Sequence, residues 1–159
     1  MVQGFSPENE QKFQILLARY PQKKAALIPA LRIAQEQWDY LTEEVMTYVA
    51  GRLEVEPSEV MNTATFYTML KKKPVGRFHI QVCTNLSCYL RGSDEMMTYI
   101  GTRLGLRPGE TSADGRFTLD HVECLASCGT APMMQVNDDY HENLGPKQVE
   151  ALIAGWEEA

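Results

Sequence analysis

FHIQVCTNLSCYLRGSDEMMTYIGTRLGLRPGETSADGRFTLDHVECLASC, running from Phe78 to Cys128, is the stretch whose reading decides the fold. Phe78, Ile80 and Val82 alternate with His79, Gln81 and Cys83, the period of a strand with one face more buried than the other. Met96, Met97, Ile100 and Leu104 then recur at helical spacing, Pro108 to Gly115 is rich in turn residues, and Phe117 to Glu123 reads as a second strand. A strand, a helix and a strand in that order predict a parallel pair joined by a right-handed crossover, with both carboxyl ends opening on one edge of the sheet. Cys83 and Cys124 fall at those two ends, and Cys88 and Cys128 follow within a few residues. Two cysteine pairs distant in sequence are thereby expected to meet.

The spacing is C-x4-C, thirty-five residues, then C-x3-C. Four soft thiolates suit an iron-sulfur centre or a structural zinc. The four-residue gap in the first pair is closer to the opening of a plant-type [2Fe-2S] ligand set than to the two-residue gap commonest in zinc modules. A disulfide, redox-active thiols and unliganded buried thiols stay open on spacing alone. Neither pair is C-x-x-C, which weighs against thioredoxin-type exchange, and His79, His121 and His141 are not placed as a Rieske pair. In a [2Fe-2S] centre the natural division is Cys83 and Cys88 on one iron, Cys124 and Cys128 on the other, around a formal charge of about -2 that becomes about -3 on reduction. Gly92 and Gly129 beside the ligands permit tight turns or close backbone approach, Thr84, Asn85, Ser87, Ser127 and Thr130 can organise donors, and Arg91 can offset charge or serve the surface. Asp138, Asp139 and Glu142 read as an acidic turn.

Before the first cysteine the chain reads as helical. Ser6 caps a helix with Pro7 first, Phe13, Leu16, Leu17 and Tyr20 on one face, and Pro21 as its stop. A second helix is expected over residues 25–37 with Pro29 as a kink or first turn, and a third after Thr42, with Leu41 and Met46 as a hydrophobic staple and Gly51 closing it. A fourth begins near Pro57 and runs to Leu70. Beyond Cys128, strands are expected at Met133 to Val136 and Tyr140 to Glu142 about a turn at Asn137 and Asp138. One of Met133 and Met134 should be core and the other should cover the cysteine loop or a partner surface. A last helix near Pro146 carries Val149, Leu152, Ile153 and Trp156.

A chain of 159 residues can bury a real core, as one domain or as a compact domain with an extension. Four cysteines and no leader pattern predict a reducing cytoplasm rather than a secreted disulfide scaffold. No apolar run has the ~18 residues needed to cross a bilayer, so no direct membrane insertion is expected. The net charge of -6, with Lys71, Lys72 and Lys73 as the only basic run, argues against nucleic acid. No G-x-G-x-x-G or Walker sequence marks a nucleotide site.

VCTNLSCYLRG at Val82 to Gly92, DGRFTLDHVECLASC at Asp114 to Cys128, APMMQVNDDY at Ala131 to Tyr140 and TFYTML at Thr65 to Leu70 together resemble the 24 kDa subunits of bacterial respiratory complex I, the thioredoxin-like [2Fe-2S] subunits of NADH:quinone oxidoreductase. The resemblance implies an α/β, thioredoxin-like [2Fe-2S] ferredoxin domain over residues 75–159, preceded by a small N-terminal helical bundle over 1–74, with Cys83, Cys88, Cys124 and Cys128 holding one [2Fe-2S] cluster. It implies an electron-transfer subunit, without catalysis of its own, that exchanges single electrons with FMN in a partner NADH-binding flavoprotein. A larger iron-sulfur subunit and the rest of the complex are the further partners. The implied location is the cytoplasmic side of the inner membrane, held there by other subunits. Related subunits serve NAD-linked hydrogenases and formate dehydrogenases, and an assembly scaffold stabilised by zinc on the four cysteines is the non-catalytic alternative. The family often has glycine where this chain has Ala126, and VNAP where it has GTAP at Gly129 to Pro132, departures that bear on local hydrogen bonding and potential.

Overall fold

The computed structural model describes residues 2–159, and the chain divides into two compact units, Met1–Pro74 and Val75–Ala159. In the first unit α1 (Pro7–Leu17) starts where the Ser6 hydroxyl accepts the Asn9 amide, and the fixed φ of Pro7 suits the first helical position. The helix ends at Leu17, short of Pro21. A single 3₁₀ turn, Lys23–Ala26, leads into α2 (Leu27–Trp38), which places Pro29 in the first turn, where its missing N–H costs no intrahelical bond. Thr42 caps α3 (Glu43–Leu53), flanked by buried Leu41 and Met46. Gly51 does not close this helix. Leu53 is needed in the core, so the helix runs on and Glu54 takes the left-handed capping conformation at φ 57°. The last helix, α4 (Pro57–Phe66), stops four residues before Leu70, which is buried from a turn instead. Phe13, Leu31, Leu41, Val49, Leu53, Val60 and Ala64 form this unit's core, and each fully buried leucine contributes about 1.5–3 kcal/mol relative to exposure. Arg52 closes one side, with its guanidinium 4.5 Å from the Phe13 ring centre and bonded to both Glu10 carboxylate oxygens at 2.7 Å.

The second unit is built on a five-stranded sheet in the order β2-β3-β1-β4-β5. Strands β1 (Phe78–Cys83), β2 (Glu110–Thr111), β3 (Phe117–Val122), β4 (Met134–Val136) and β5 (Asp139–His141) are joined by helices α5 (Leu86–Leu90) and α6 (Ser93–Leu104), and α7 (Pro146–Glu158) follows. β1 and β3 are parallel from Phe78 opposite Phe117 to Cys83 opposite Val122; β4 pairs antiparallel with β1. β2 is not foreshadowed in the sequence, since its two residues are both exposed and show no alternation. Nor is α5, five residues that wrap Cys88 into a helical turn. Gly92, at φ 91°, makes the turn between α5 and α6 in a conformation that other residues rarely adopt. Ile80, Val82, Leu119, Met134 and Val136 pack on one face of the sheet against Met96 and Ile100 of α6 and Val149 and Ile153 of α7.

Candidate iron-sulfur site

Side chains alternate across a strand, so β1 turns Ile80 and Val82 toward the helical core and Cys83 to the opposite side. There Cys83, Cys88, Ala131 and Met133 form a separate buried cluster, with Leu125 packed against it. The adjacent methionines divide accordingly. Met134 belongs to the main core and Met133 lies against the cysteines, both fully buried. The sheet edge is held by the Thr84 amide, which donates to the Val122 carbonyl at 3.0 Å, and by the Thr84 hydroxyl, which donates to the same oxygen at 3.2 Å. These bonds extend the β1–β3 ladder past Cys83 and fix where the two cysteine segments leave the sheet.

All four cysteines are free thiols; Cys83 and Cys88 are buried, Cys124 and Cys128 exposed. Burial pushes the Cys88 thiol up to about 11, and a hydrogen bond with the Cys83 sulfur and the nearby Cys128 sulfur act in the same direction. Cys124 Sγ accepts the Ala126 amide at 3.3 Å. Ala126 itself stands at φ 60°, the left-handed region an L-residue normally avoids. An amide aimed at sulfur stabilises a thiolate and is the kind of contact that tunes an iron-sulfur centre.

The donor set fits a [2Fe-2S] group. It offers two thiol pairs, one buried and one exposed, at a single sheet edge, with a backbone amide already directed at sulfur. Among the described residues no three His, Cys, Asp or Glu side chains converge on one ion position. A two-iron cluster asks only for a pair of thiolates on each iron. A neutral, buried Cys88 would release its proton to solvent as iron took its place on the sulfur, as thiol ligands do.

The surrounding polar residues divide. Ser127 and Thr130 both hydrogen-bond Oε1 of Glu142, Thr130 at 2.6 Å, which holds the Glu142 carboxyl below the usual carboxylate range. Glu142 is therefore more than part of an acidic turn, and only the strand pairing of the hairpin could have revealed it. Tyr140 likewise reaches the cysteine loop, its hydroxyl donating to the Leu125 carbonyl at 2.9 Å. Gly129 lies in the tight 3₁₀ turn Cys128–Thr130, without a left-handed φ and with open space around its α-carbon. The Asn85 side chain makes no capping bond to α5, and His121 is an exposed strand residue. His79 is buried and paired with Asp120 at 2.7 Å.

Residues 13–157 match the thioredoxin-like [2Fe-2S] ferredoxin family. Among curated proteins the chain is 46% identical over 149 residues to an NADH-quinone oxidoreductase subunit of Rhizobium meliloti (strain 1021), covering 94% of this chain and 89% of that protein. It is 41% identical over 153 residues to the corresponding NADH-quinone oxidoreductase subunit of Rickettsia bellii (strain RML369-C), covering 94% and 92%. Among solved structures, an NAD+-reducing [NiFe]-hydrogenase in the air-oxidized state superimposes with a TM-score of 0.71 at 21% identity, over 84% of this chain and 23% of that one. At that identity the likeness carries the fold alone. No helix among the described residues is long and apolar enough to cross a membrane.

Proposed function

The chain belongs to the thioredoxin-like [2Fe-2S] ferredoxin family, and from that premise we propose that it is the electron-transfer subunit of an NADH:quinone oxidoreductase, with Cys83, Cys88, Cys124 and Cys128 as ligands of one [2Fe-2S] cluster. What supports the ligand set is that the two cysteine segments leave the sheet at the carboxyl ends of the parallel strands β1 and β3, with the Ala126 amide on Cys124. Cys83 and Cys88 would hold one iron and Cys124 and Cys128 the other. When bound, the cluster supplies one-electron storage and release, which lets a flavin pass on a hydride's two electrons singly. The chain's residues do the rest. Met133 and Leu125 keep water from the buried pair, the Ala126 N–H offsets negative charge on sulfur, and the exposed pair leaves the outer side open to a docked protein.

The partner on this reading is the flavoprotein that binds NADH and FMN, with a larger iron-sulfur subunit beyond it, all on the cytoplasmic side of the membrane. The helical unit, Met1–Pro74, holds no cysteine and serves as the clasp to that partner, while Val75–Ala159 carries the redox site. Relatives named as subunits of NADH-quinone oxidoreductase at 46% and 41% identity support this over a hydrogenase role. The test is co-expression with the flavoprotein. The two should co-purify, NADH should bleach this chain's visible absorption only when the flavoprotein is present, and a truncation beginning at Val75 should bind it more weakly at equal cluster occupancy. Failure to associate, or truncation without effect on affinity, counts against the reading.

A further inference from the structure

The two thiol pairs are not equally well supported. Cys83 ends a central strand and Cys88 sits inside a helical turn, whereas residues 123–127 have no regular structure and Cys124 and Cys128 are exposed. A loop free to wander would have to be ordered each time it gathers a metal, at a cost in conformational entropy.

The β4–β5 hairpin supplies what restrains it. Tyr140, in the middle of β5, donates its hydroxyl to the Leu125 carbonyl at 2.9 Å, between the two exposed cysteines. Just past the strand, Glu142 takes both hydroxyls of the Cys128 turn on one oxygen, Ser127 from one side and Thr130 at 2.6 Å from the other; the two hydroxyl oxygens lie 2.7 Å apart. The backbone continues the seam, with the Asn143 amide on the Thr130 carbonyl at 2.8 Å and the Leu144 amide on the Pro132 carbonyl at 3.0 Å. Tyr140 is half exposed and Glu142 lies at the surface, so neither side chain is there to fill the core. Their placement is explained by what they hold.

We propose that Tyr140 and Glu142 are positioning residues for the iron-sulfur site. They brace the Cys124–Cys128 loop in its ligating conformation, and the Glu142 carboxylate, bonded to Ser127 and Thr130 on either side of Cys128 in sequence, biases the site against gaining an electron. This rests on the [2Fe-2S] assignment above. The charge effect follows from placing a fixed negative group beside a centre that becomes more negative on reduction. Hydrogen bonds to a carboxylate are stronger than those between neutral groups, which suits a brace at an exposed loop.

The experiment uses the full chain as purified with its cluster, in wild-type, Tyr140→Phe, Glu142→Gln and Glu142→Ala forms. Three quantities are read: the rate of iron loss to an excess of chelator, the midpoint potential, and the electron paramagnetic resonance line shape of the reduced state. Tyr140→Phe and Glu142→Ala should lose iron at least about three-fold faster than wild type, since each gives up hydrogen bonds to the loop. Glu142→Gln keeps an oxygen that accepts the same hydroxyls, so it should retain iron close to the wild-type rate while its midpoint moves to a more positive value. Tyr140→Phe is nearly isosteric and remains informative even if Glu142→Ala folds poorly. Wild-type iron retention in Tyr140→Phe and Glu142→Ala overturns the brace, and an unchanged midpoint in Glu142→Gln overturns the charge effect. A wild-type chain without iron and sulfide overturns the underlying assignment instead, so the two failures are distinguishable.

Discussion

Ala126→Gly is the substitution for which the structure makes the most specific demand. Ala126 stands at φ 60°, and an L-alanine in the left-handed region gives up about 1–2 kcal/mol relative to its preferred conformations. Glycine avoids that penalty but loosens the unfolded chain, which offsets about 0.4–1 kcal/mol. The Ala126 side chain is exposed, so losing its β-carbon forfeits little burial. The net expectation is a gain of about 0.5–1 kcal/mol in the unfolding free energy of the metal-free protein. The amide survives the change, so the 3.3 Å bond to Cys124 Sγ persists and the midpoint potential of the loaded protein should stay where it was. Urea titration with an unchanged denaturant slope reads the first quantity, and a redox titration followed by absorption reads the second. Ala126→Val is the opposing control. A β-branched side chain at positive φ is a true outlier and should cost stability. Equal or lower stability in Ala126→Gly would refute the strain at this residue, and a large change of potential with the fold intact would refute the persistence of its amide bond to Cys124.

Other outcomes follow from the packing and charge of particular residues. Gly76→Ala should destabilise the sheet unit by about 1–3 kcal/mol, because its new β-carbon would lie 2.8 Å from the backbone of Arg116 and Phe117; a wild-type melting temperature contradicts the close approach. The Glu10 carboxyl is held down at about 2 by its hydrogen bonds with Arg52 and Gln14. A depressed folded-state value means that the pair stabilises fully above the unfolded carboxyl value of about 4.3 and ceases to as the pH falls toward 2. Discounted for solvent exposure this is about 1 kcal/mol, so Glu10→Gln should be less stable than wild type at pH 7 and equal to it near pH 2, and parallel pH profiles would contradict it. The isolated, flavin-free chain should not oxidise NADH with artificial acceptors, since a one-electron centre cannot take up hydride; robust turnover by the chain alone would remove the division of labour.

The βαβ core was legible because its signals are redundant. Phe78 to Cys83 and Phe117 to Val122 alternate, and Met96, Ile100 and Leu104 keep helical spacing between them, so period and order agree. The gathering of the cysteine segments followed from that topology, since a parallel pair must bring its carboxyl ends to one edge. What escaped was whatever depends on register or on a few residues. Glu110 and Thr111 are too few to show a period, and α5 is a five-residue helix whose apolar Leu86, Tyr89 and Leu90 face outward. Gly51 read as a stop because glycine usually ends helices, yet the burial of Leu53 carried α3 past it. Tyr140 and Glu142 touch the cysteine loop only because β5 pairs with β4 in one register, which a sequence does not print. Ala126 announced itself only as alanine where the family often has glycine, and the positive φ is the physical content of that departure.

Whether the four thiols together hold one [2Fe-2S] centre is decided by metal and labile-sulfide analysis with electron paramagnetic resonance on the anaerobically purified chain, beside Cys88→Ala and Cys124→Ala. The expected result is about two irons and two sulfides per wild-type chain, a paramagnetic signal that appears on one-electron reduction, and loss or severe destabilisation of the native centre in both variants. A single zinc per chain without labile sulfide, or the full native signal in Cys124→Ala, would contradict it.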